Sequence, residues 1–432
     1  MVAILVALGL SGAPTLSQQP VAADAAVHST IGSAGFKAAA EALDRDFERH
    51  VAETIRLTEI PSPPFGEAER GKVYLELLRQ HGLTDVEMDA VGNVMGLRRG
   101  TLSTGSGPSG TRPLIAIAAH LDTVFPVGTN VKVRREGTKL HAPGIGDDSR
   151  SLAVLLAIIR AMDAAKIQTK ADILFVGDVG EEGLGDLRGM KQLFNTGKYK
   201  GRITAFISAD GTDPGNRIVT GAVGSKRYRV TFKGPGGYSY SDFGIVSPAF
   251  ALANAMKKFG ALNVPASPKT TFSVGVVGGG TSVNSIPFES WMDVDMRSES
   301  RAELDKIDAL FKTLVAAAVV EENAARSTAK GNITVDVKLT GDRPSGQTDA
   351  SQSIVQIAAA SVRAFGLTPA FTFSSNDSNI PISLGIPAIT LDAGGASDRN
   401  HALDEWIDVE KTSSLRGMQM MLATLLTLAG MQ

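Results

Sequence analysis

Three apolar runs, each ending in side chains that bind metals or move protons, constrain this chain more than any other feature. "LIAIAAHLD" closes on His120 and Asp122, "ADILFVGDVGEE" on Glu181 and Glu182, and "ITAFISAD" on Asp210. Apolar runs without polar alternation read as strands buried on both faces, the mark of a parallel sheet covered by helices. In an open α/β sheet, ligands collect at the carboxyl ends of such strands, so the three runs point into one crevice. The apolar "RSLAVLLAIIRAMDAA" that follows "GIGDDS" reads as one of the covering helices.

Composition narrows the chemistry at that crevice. The chain has 432 residues, which makes two domains the natural expectation. It contains no Cys, so disulfides and thiolate ligands are excluded and any metal must sit on His, Asp and Glu. A net charge of −2 supplies no basic field for nucleic acid. No later segment offers the ~20 apolar residues of a membrane helix. At the N-terminus, Val2 to Leu10 is too short to span a bilayer but fits a signal h-region, with an Ala-x-Ala at Ala23 to Ala25. Residues 1–30 are therefore expected to be a signal peptide and linker, making the protein periplasmic or secreted. The n-region has no Lys or Arg, so a cytoplasmic location stays open.

Further along, Phe36 to Leu57 carries apolar residues at helical spacing and is stopped by "PSPPFGE". Residues 68–81 form another amphipathic helix. "RRGTLSTGSGPSGTRP" reads as a surface connection, and "SSNDSNIPISLGIP" as a loop. The character changes near Val223. "KRYRVTFKG" alternates like a half-exposed strand. A helix, the strands "TTFSVGVVGGG" and "SWMDVDMRS", a long helix and the strand "NITVDVKLTGDRP" follow. This β-α-β-β-α-β order is ferredoxin-like. The expected architecture is an α/β catalytic domain with a mostly parallel central sheet, residues 31–223 and 341–432. An α+β domain, residues 224–340, interrupts it.

His120, Asp147, Glu182, Asp210 and His401 supply two imidazoles and three carboxylates; Glu181 and Asp122 stand beside them. That is the inventory of a two-metal hydrolytic site. Glu181 and Glu182 could be a plain solvated acidic pair, but two like charges at the end of an apolar strand call for cations. Asp122 follows His120 by two residues. On a strand the two share a face, so the Asp122 carboxylate can accept the second imidazole N–H and fix the tautomer. His141 reads as a loop residue, Asp148 as a group behind the ligands or a helix N-cap, and Asp178 as structural.

The motifs "HLDTV", "GIGDDSR", "GEEGLGDLRG", "GPGGYSYSDFG", "GGGTSVNSIP", "GDRPSGQTD", "NIPISLGIPAIT" and "HALDEW" occur in this order from about Phe36 onward. In them the chain resembles the di-zinc exopeptidases that include peptidase T, carboxypeptidase G, aminoacylase and carnosine dipeptidases, with a peptidase T-like phrasing. The resemblance implies that Asp147 bridges two metals, His120 and Asp210 completing one and Glu182 and His401 the other. It implies Zn²⁺, or Mn²⁺ or Co²⁺, and makes Glu181 the general base that takes a proton from water and passes it to the leaving amine. The implied reaction is hydrolysis of an amide bond in a small peptide or N-acyl amino acid. Asp210 at its ligand position leans toward the aminopeptidase and dipeptidase branch. The inserted domain is then a lid that supports a homodimer, and Asn284 and Arg297 match substrate-binding positions. Arg297 could hold a carboxylate bidentately or simply pair with a neighbouring strand acid.

One departure stands out. The family has His in "GPGGHS", where this chain has Tyr238, and no His occurs between Val223 and Arg343. Tyr238 can donate one neutral hydrogen bond to a developing oxyanion. The substitution also leaves open an unusual amide substrate, an isomerase or lyase reaction on the same metals, or a catalytically weak binding protein.

Overall fold

The computed structural model describes residues 18–102 and 112–432. The apolar run Val2 to Leu10 and most of the Gly/Ser/Thr connection lie outside the described residues. The buried-strand reading holds at the level of single side chains. In the Leu114–His120 strand, Ile115, Ile117 and Ala119 enter one core while Leu114, Ala116 and Ala118 enter another. In Asp172–Asp178, Ile173 and Phe175 join the first core and Leu174 and Val176 the second. Period-two alternation thus loads both faces with apolar groups, and each fully buried Ile, Leu or Phe contributes about 1.5–3 kcal/mol. The Arg150–Ala164 and Lys411–Ala429 helices cover the first face.

Four strands at the centre of the large sheet run parallel: Asp172–Asp178, Leu114–His120, Ile203–Ala209 and Ala388–Leu391. Antiparallel neighbours flank them, Val94–Arg98 and Thr84–Met88 on one side and Arg217–Ala222 on the other. Because the central strands are parallel, His120 and the segments after Asp178 and Ala209 emerge on the same edge.

The inserted domain has its strands at Gly224–Lys233, Thr270–Gly279, Glu289–Ser298 and Thr334–Arg343. They form an antiparallel sheet in which the first and third strands lie at the centre. Helices Pro248–Gly260 and Arg301–Ala325 cover one face through Tyr228, Val230, Met292, Phe259 and Phe311. This is the ferredoxin-like arrangement. The other face displays Arg227, Arg229, Asp293, Asp295 and Arg297, and from it Arg227 Nη1 donates to the Gly183 carbonyl at 2.6 Å.

Several local features differ from, or add to, the expectations. Phe36 to Leu57 is two helices, Ala34–Arg45 and Phe47–Thr58, hinged at Asp46, whose carboxylate is engaged by Arg160. The Ala23 to Ala25 triplet lies within a helix, Gln18–Gly32, where Ala23 and Val27 pack on Ala360. His141 is in a strand, Lys139–His141, that pairs with Trp406–Asp408. The segment read as the loop "SSNDSNIPISLGIP" contains a short helix, Asn379–Ser383.

Candidate metal centre

Each ligand candidate is delivered by a strand end or by a loop pinned to one. His120 is the last residue of its strand and is buried. Glu181 and Glu182 follow Asp172–Asp178, and Asp210 follows Ile203–Ala209. Asp147 lies in the tight Ile145–Ser149 turn that feeds the Arg150–Ala164 helix. His401 sits between the short strands Ala396–Asp398 and Trp406–Asp408 with φ of 66°, in the left-handed region that non-glycine residues seldom occupy.

Asp147 stands between the two imidazoles. Its Oδ1 is 2.9 Å from His120 Nε2 and its Oδ2 is 3.1 Å from His401 Nε2. His401 Nε2 is also 3.1 Å from Glu182 Oε1. Donor atoms of His120, Asp147 and Glu182 gather within 4.8 Å of one another, and so do those of His120, Asp148 and Asp210. The expected ligands thus fall in two clusters that share His120, with His401 reaching Asp147 and Glu182, and Asp148 stands closer to them than the sequence suggested. Asp148 is buried, and its Oδ2 accepts the His120 backbone N–H at 3.1 Å, so it braces the strand end and does not cap the helix.

The Asp122 carboxylate does something other than expected. His120 Nδ1 is 3.0 Å from the Asp122 backbone carbonyl but 3.7 Å from the carboxylate, so the carbonyl is the nearer acceptor that fixes the tautomer. The carboxylate instead accepts the backbone N–H groups of Glu181 at 3.0 Å and Glu182 at 2.8 Å. It sets the two glutamates in place relative to His120.

The electrostatics fit divalent cations. Burial disfavours charge on His120, yet Asp148, Asp122 and Asp147 outweigh it and hold the imidazole well above its ordinary pKa. Hydrogen bonds to Asp147 and Glu182 lift His401 to about 11. Burial lifts Glu182 to about 7 and Asp210 to about 6, with the charge of Asp147 adding to each. Such a concentration of acids pulls protons onto any base within reach. Neutral imidazole and carboxylate oxygen are donors that suit Zn²⁺, Mn²⁺ or Co²⁺, and a carboxylate with one oxygen toward each imidazole suits a bridge.

Glu181 is outside both donor clusters. Arg343 Nη1 donates to its Oε1 at 2.9 Å, Arg343 Nη2 donates to its backbone carbonyl, and both side chains are buried. Burial raises the Glu181 pKa while Arg343 opposes the rise. Sequence reasoning missed Arg343, although it lies in the quoted "GDRPSG". It also missed Glu405 of "HALDEW". The buried Glu405 accepts the N–H groups of Gly144 and Gly146 at 2.8 Å each and that of Asp147 at 3.1 Å. That carboxylate ties the Asp147 turn to the His401 loop. Asp178 is buried, and burial lifts it to about 7 beside Asp377.

Asp147, Glu181, Glu182, Asp210, His401 and Arg343 line a cavity of about 310 Å³ together with Arg297 from the inserted domain. Arg297 lines the cavity and pairs with Asp295, an acid on its own strand and not on a neighbouring one, at 2.7 Å. Tyr238 and Asn284 do not line this cavity. Tyr238 is 53% exposed in a two-residue strand, and Asn284 accepts from Ser282 Oγ in an exposed turn.

Residues 116–427 match the model of peptidase family M20/M25/M40. A "probable carboxypeptidase" of Aspergillus flavus is 24% identical over 258 residues, 56% of this chain and 59% of the relative. The chain thus matches about three fifths of the length of that curated relative. Among solved structures, the aminopeptidase PepT of Bacillus cereus superposes with a TM-score of 0.67 at 22% identity, covering 88% of this chain and 98% of the other. The di-peptidase Dug1p of Saccharomyces cerevisiae superposes with a TM-score of 0.70 at 15% identity, covering 91% and 98%. These two share the fold. With the family model spanning the catalytic strands, the inserted domain and the His401 loop, the chain belongs to peptidase family M20/M25/M40.

Proposed function

We propose that the protein is a two-metal hydrolase of an amide bond in a small peptide or N-acyl amino acid, of aminopeptidase or dipeptidase type. The observation that carries this reading is Asp147 set between two imidazoles, with Glu181 beside the cluster but outside it. When bound, two divalent cations would supply Lewis acidity and make water a nucleophile near neutral pH. His120, Asp147, Glu182, Asp210 and His401 would hold them. Glu181 takes the proton of the attacking water on its carboxylate and returns it to the departing amine nitrogen. Arg343 keeps that carboxylate in one rotamer, and Arg297 is placed to take a substrate carboxylate.

A homodimer through the inserted domain belongs to the same reading. The Thr270–Gly279 strand is a sheet edge with Val276 and Val277 exposed, the kind of edge that pairs with another copy. Tyr238 and Asn284 lie off the cavity of their own chain, so a role for Tyr238 as oxyanion donor needs lid movement or a second copy. Export of the protein is also part of the proposal, resting on the apolar run Val2 to Leu10.

The test is mass-detected hydrolysis of dipeptides, tripeptides and N-acyl amino acids by zinc-, manganese- and cobalt-loaded protein, with Glu181→Gln as control. The reading predicts addition of water to at least one class. It also predicts a loss of about 10²–10⁴-fold or more in the control. Turnover unchanged in Glu181→Gln, or a product formed without water, would sink it.

A further inference from the structure

The register of the central sheet sets three groups side by side at the cleft. Ala388–Leu391 runs parallel to Ile203–Ala209, with Leu391 opposite Ala209, and antiparallel to Arg217–Ala222, with Leu391 opposite Ile218. One residue beyond these pairs stand Asp210 on one side, Asp392 in the middle and Arg217 on the other. Arg217 lines the metal cleft from this sheet, whereas Arg227, Arg297 and Arg343 reach it from the inserted domain.

Hydrogen bonds tie the three groups together. The Asp210 N–H donates to the Leu391 carbonyl at 3.1 Å. Arg217 Nη2 donates to the Asp210 carbonyl at 3.3 Å. Nε and Nη2 of Arg217 both donate to Oδ1 of the buried Asp392, at 3.0 and 2.5 Å. The Asp210 backbone is therefore held at its N–H by a strand and at its carbonyl by a guanidinium that a buried carboxylate aims. The next residue leaves room for this contact. Gly211 has φ of 98°, and a Cβ there would lie 2.6 Å from Arg217 Nη2 and 3.1 Å from Asp392 Oδ1. Oδ2 of Asp392 meets no donor among the described residues, so the carboxylate acts through Arg217.

We infer that the Arg217–Asp392 pair is a positioning device for one cation site, the one that Asp210 serves. Asp392 orients Arg217, Arg217 fixes the Asp210 peptide, and the Asp210 carboxylate is set beside His120 in advance. The site served by Glu182 and His401 gains nothing from this pair. The two sites thus have separate supports, since Glu405 holds the Asp147 turn and Arg217 holds Asp210. The count of two cations rests on the proposed hydrolase reading; the link from Arg217 to Asp210 does not.

The experiment is calorimetric titration of the metal-free protein with zinc. Arg217→Met alone would strand a buried carboxylate, so the main variant is Arg217→Met with Asp392→Leu, which replaces the ion pair by apolar groups. The expected result is two binding steps in the parent, one of them weakened about 10–100-fold in the double variant and the other unchanged. The weakened step should be the one that Asp210→Ala abolishes, and the unchanged step the one that Glu182→Ala abolishes. Arg217→Lys keeps a cation beside Asp392 without the fork, so it should weaken the same step by less; if the double variant does not fold, this shift decides. Two unchanged steps, or equal weakening of both, overturns the inference. If the parent binds a single zinc, the two-metal reading falls. Weaker binding of that zinc in the variants then keeps the inference, and unchanged binding removes it. No binding in the parent removes both.

Discussion

At the scale of single residues, the site depends on groups that touch no metal. Arg343 fixes Glu181 from two directions, and removing it leaves a buried carboxylate free to turn. Arg343→Met is expected to lower kcat by about 10–100-fold while two metals remain bound, as measured by steady-state kinetics beside elemental analysis. A different residue adds to acid sensitivity. His50 is fully buried, and burial, reinforced by the charge of Arg150, holds its pKa well below the ordinary value. The unfolded chain protonates this imidazole below about pH 6.5 and the folded chain does not. Stability is therefore fully present above that pH and is lost as pH falls toward the folded-state value, at a slope of about 1.4 kcal/mol per pH unit from this group. Urea unfolding of His50→Gln between pH 7 and pH 5 should show a shallower decline than the parent; an unchanged slope would assign the acid sensitivity elsewhere. The residues legible in the sequence were those inside recognisable motifs, at strand ends for His120, Glu181, Glu182 and Asp210 and in a turn and a loop for Asp147 and His401. Arg343 and Glu405 were quoted within motifs but given no role, because what each does depends on a segment more than a hundred residues away.

At the scale of elements, long apolar runs announced themselves and short ones did not. The Leu114–His120 and Asp172–Asp178 strands are buried on both faces, so composition alone reveals them. The Lys139–His141 and Trp406–Asp408 strands have three residues each and lack any apolar pattern, yet they bring the His401 loop to the Asp147 turn. The break at Asp46 was invisible because helical spacing runs through it, and only Arg160 from a distant helix marks the hinge. Glu405 completes the junction of turn and loop with three backbone hydrogen bonds. Glu405→Gln can accept only through its carbonyl oxygen, so part of this clamp is lost. The expected outcome is a 10–100-fold weaker second metal-binding step, of the order seen when supporting partners are removed. Calorimetric metal titration checks this, and two unchanged binding steps would show that the clamp does not support the centre.

At the scale of the whole molecule, the parallel sheet and the inserted lid place acids and arginines on opposite sides of one cleft. The interruption after Val223 and the return of catalytic sequence before His401 were readable from a change in strand pattern and from the order of the motifs. The balance of charge across the cleft was not readable, because Arg227, Arg297 and Arg343 come together only through the register of the lid strands. The position of Tyr238 away from the cavity was equally hidden, since it follows from how the lid is set and not from its sequence. Asp147 is proposed to join two cation sites into one centre. Elemental analysis of zinc-loaded, exhaustively dialysed protein tests it most directly, alongside Asp147→Ala. Two zinc ions per chain are expected in the parent and none in the variant, with the fold retained by circular dichroism. A single zinc in the parent, or two zinc ions surviving in Asp147→Ala, would contradict it.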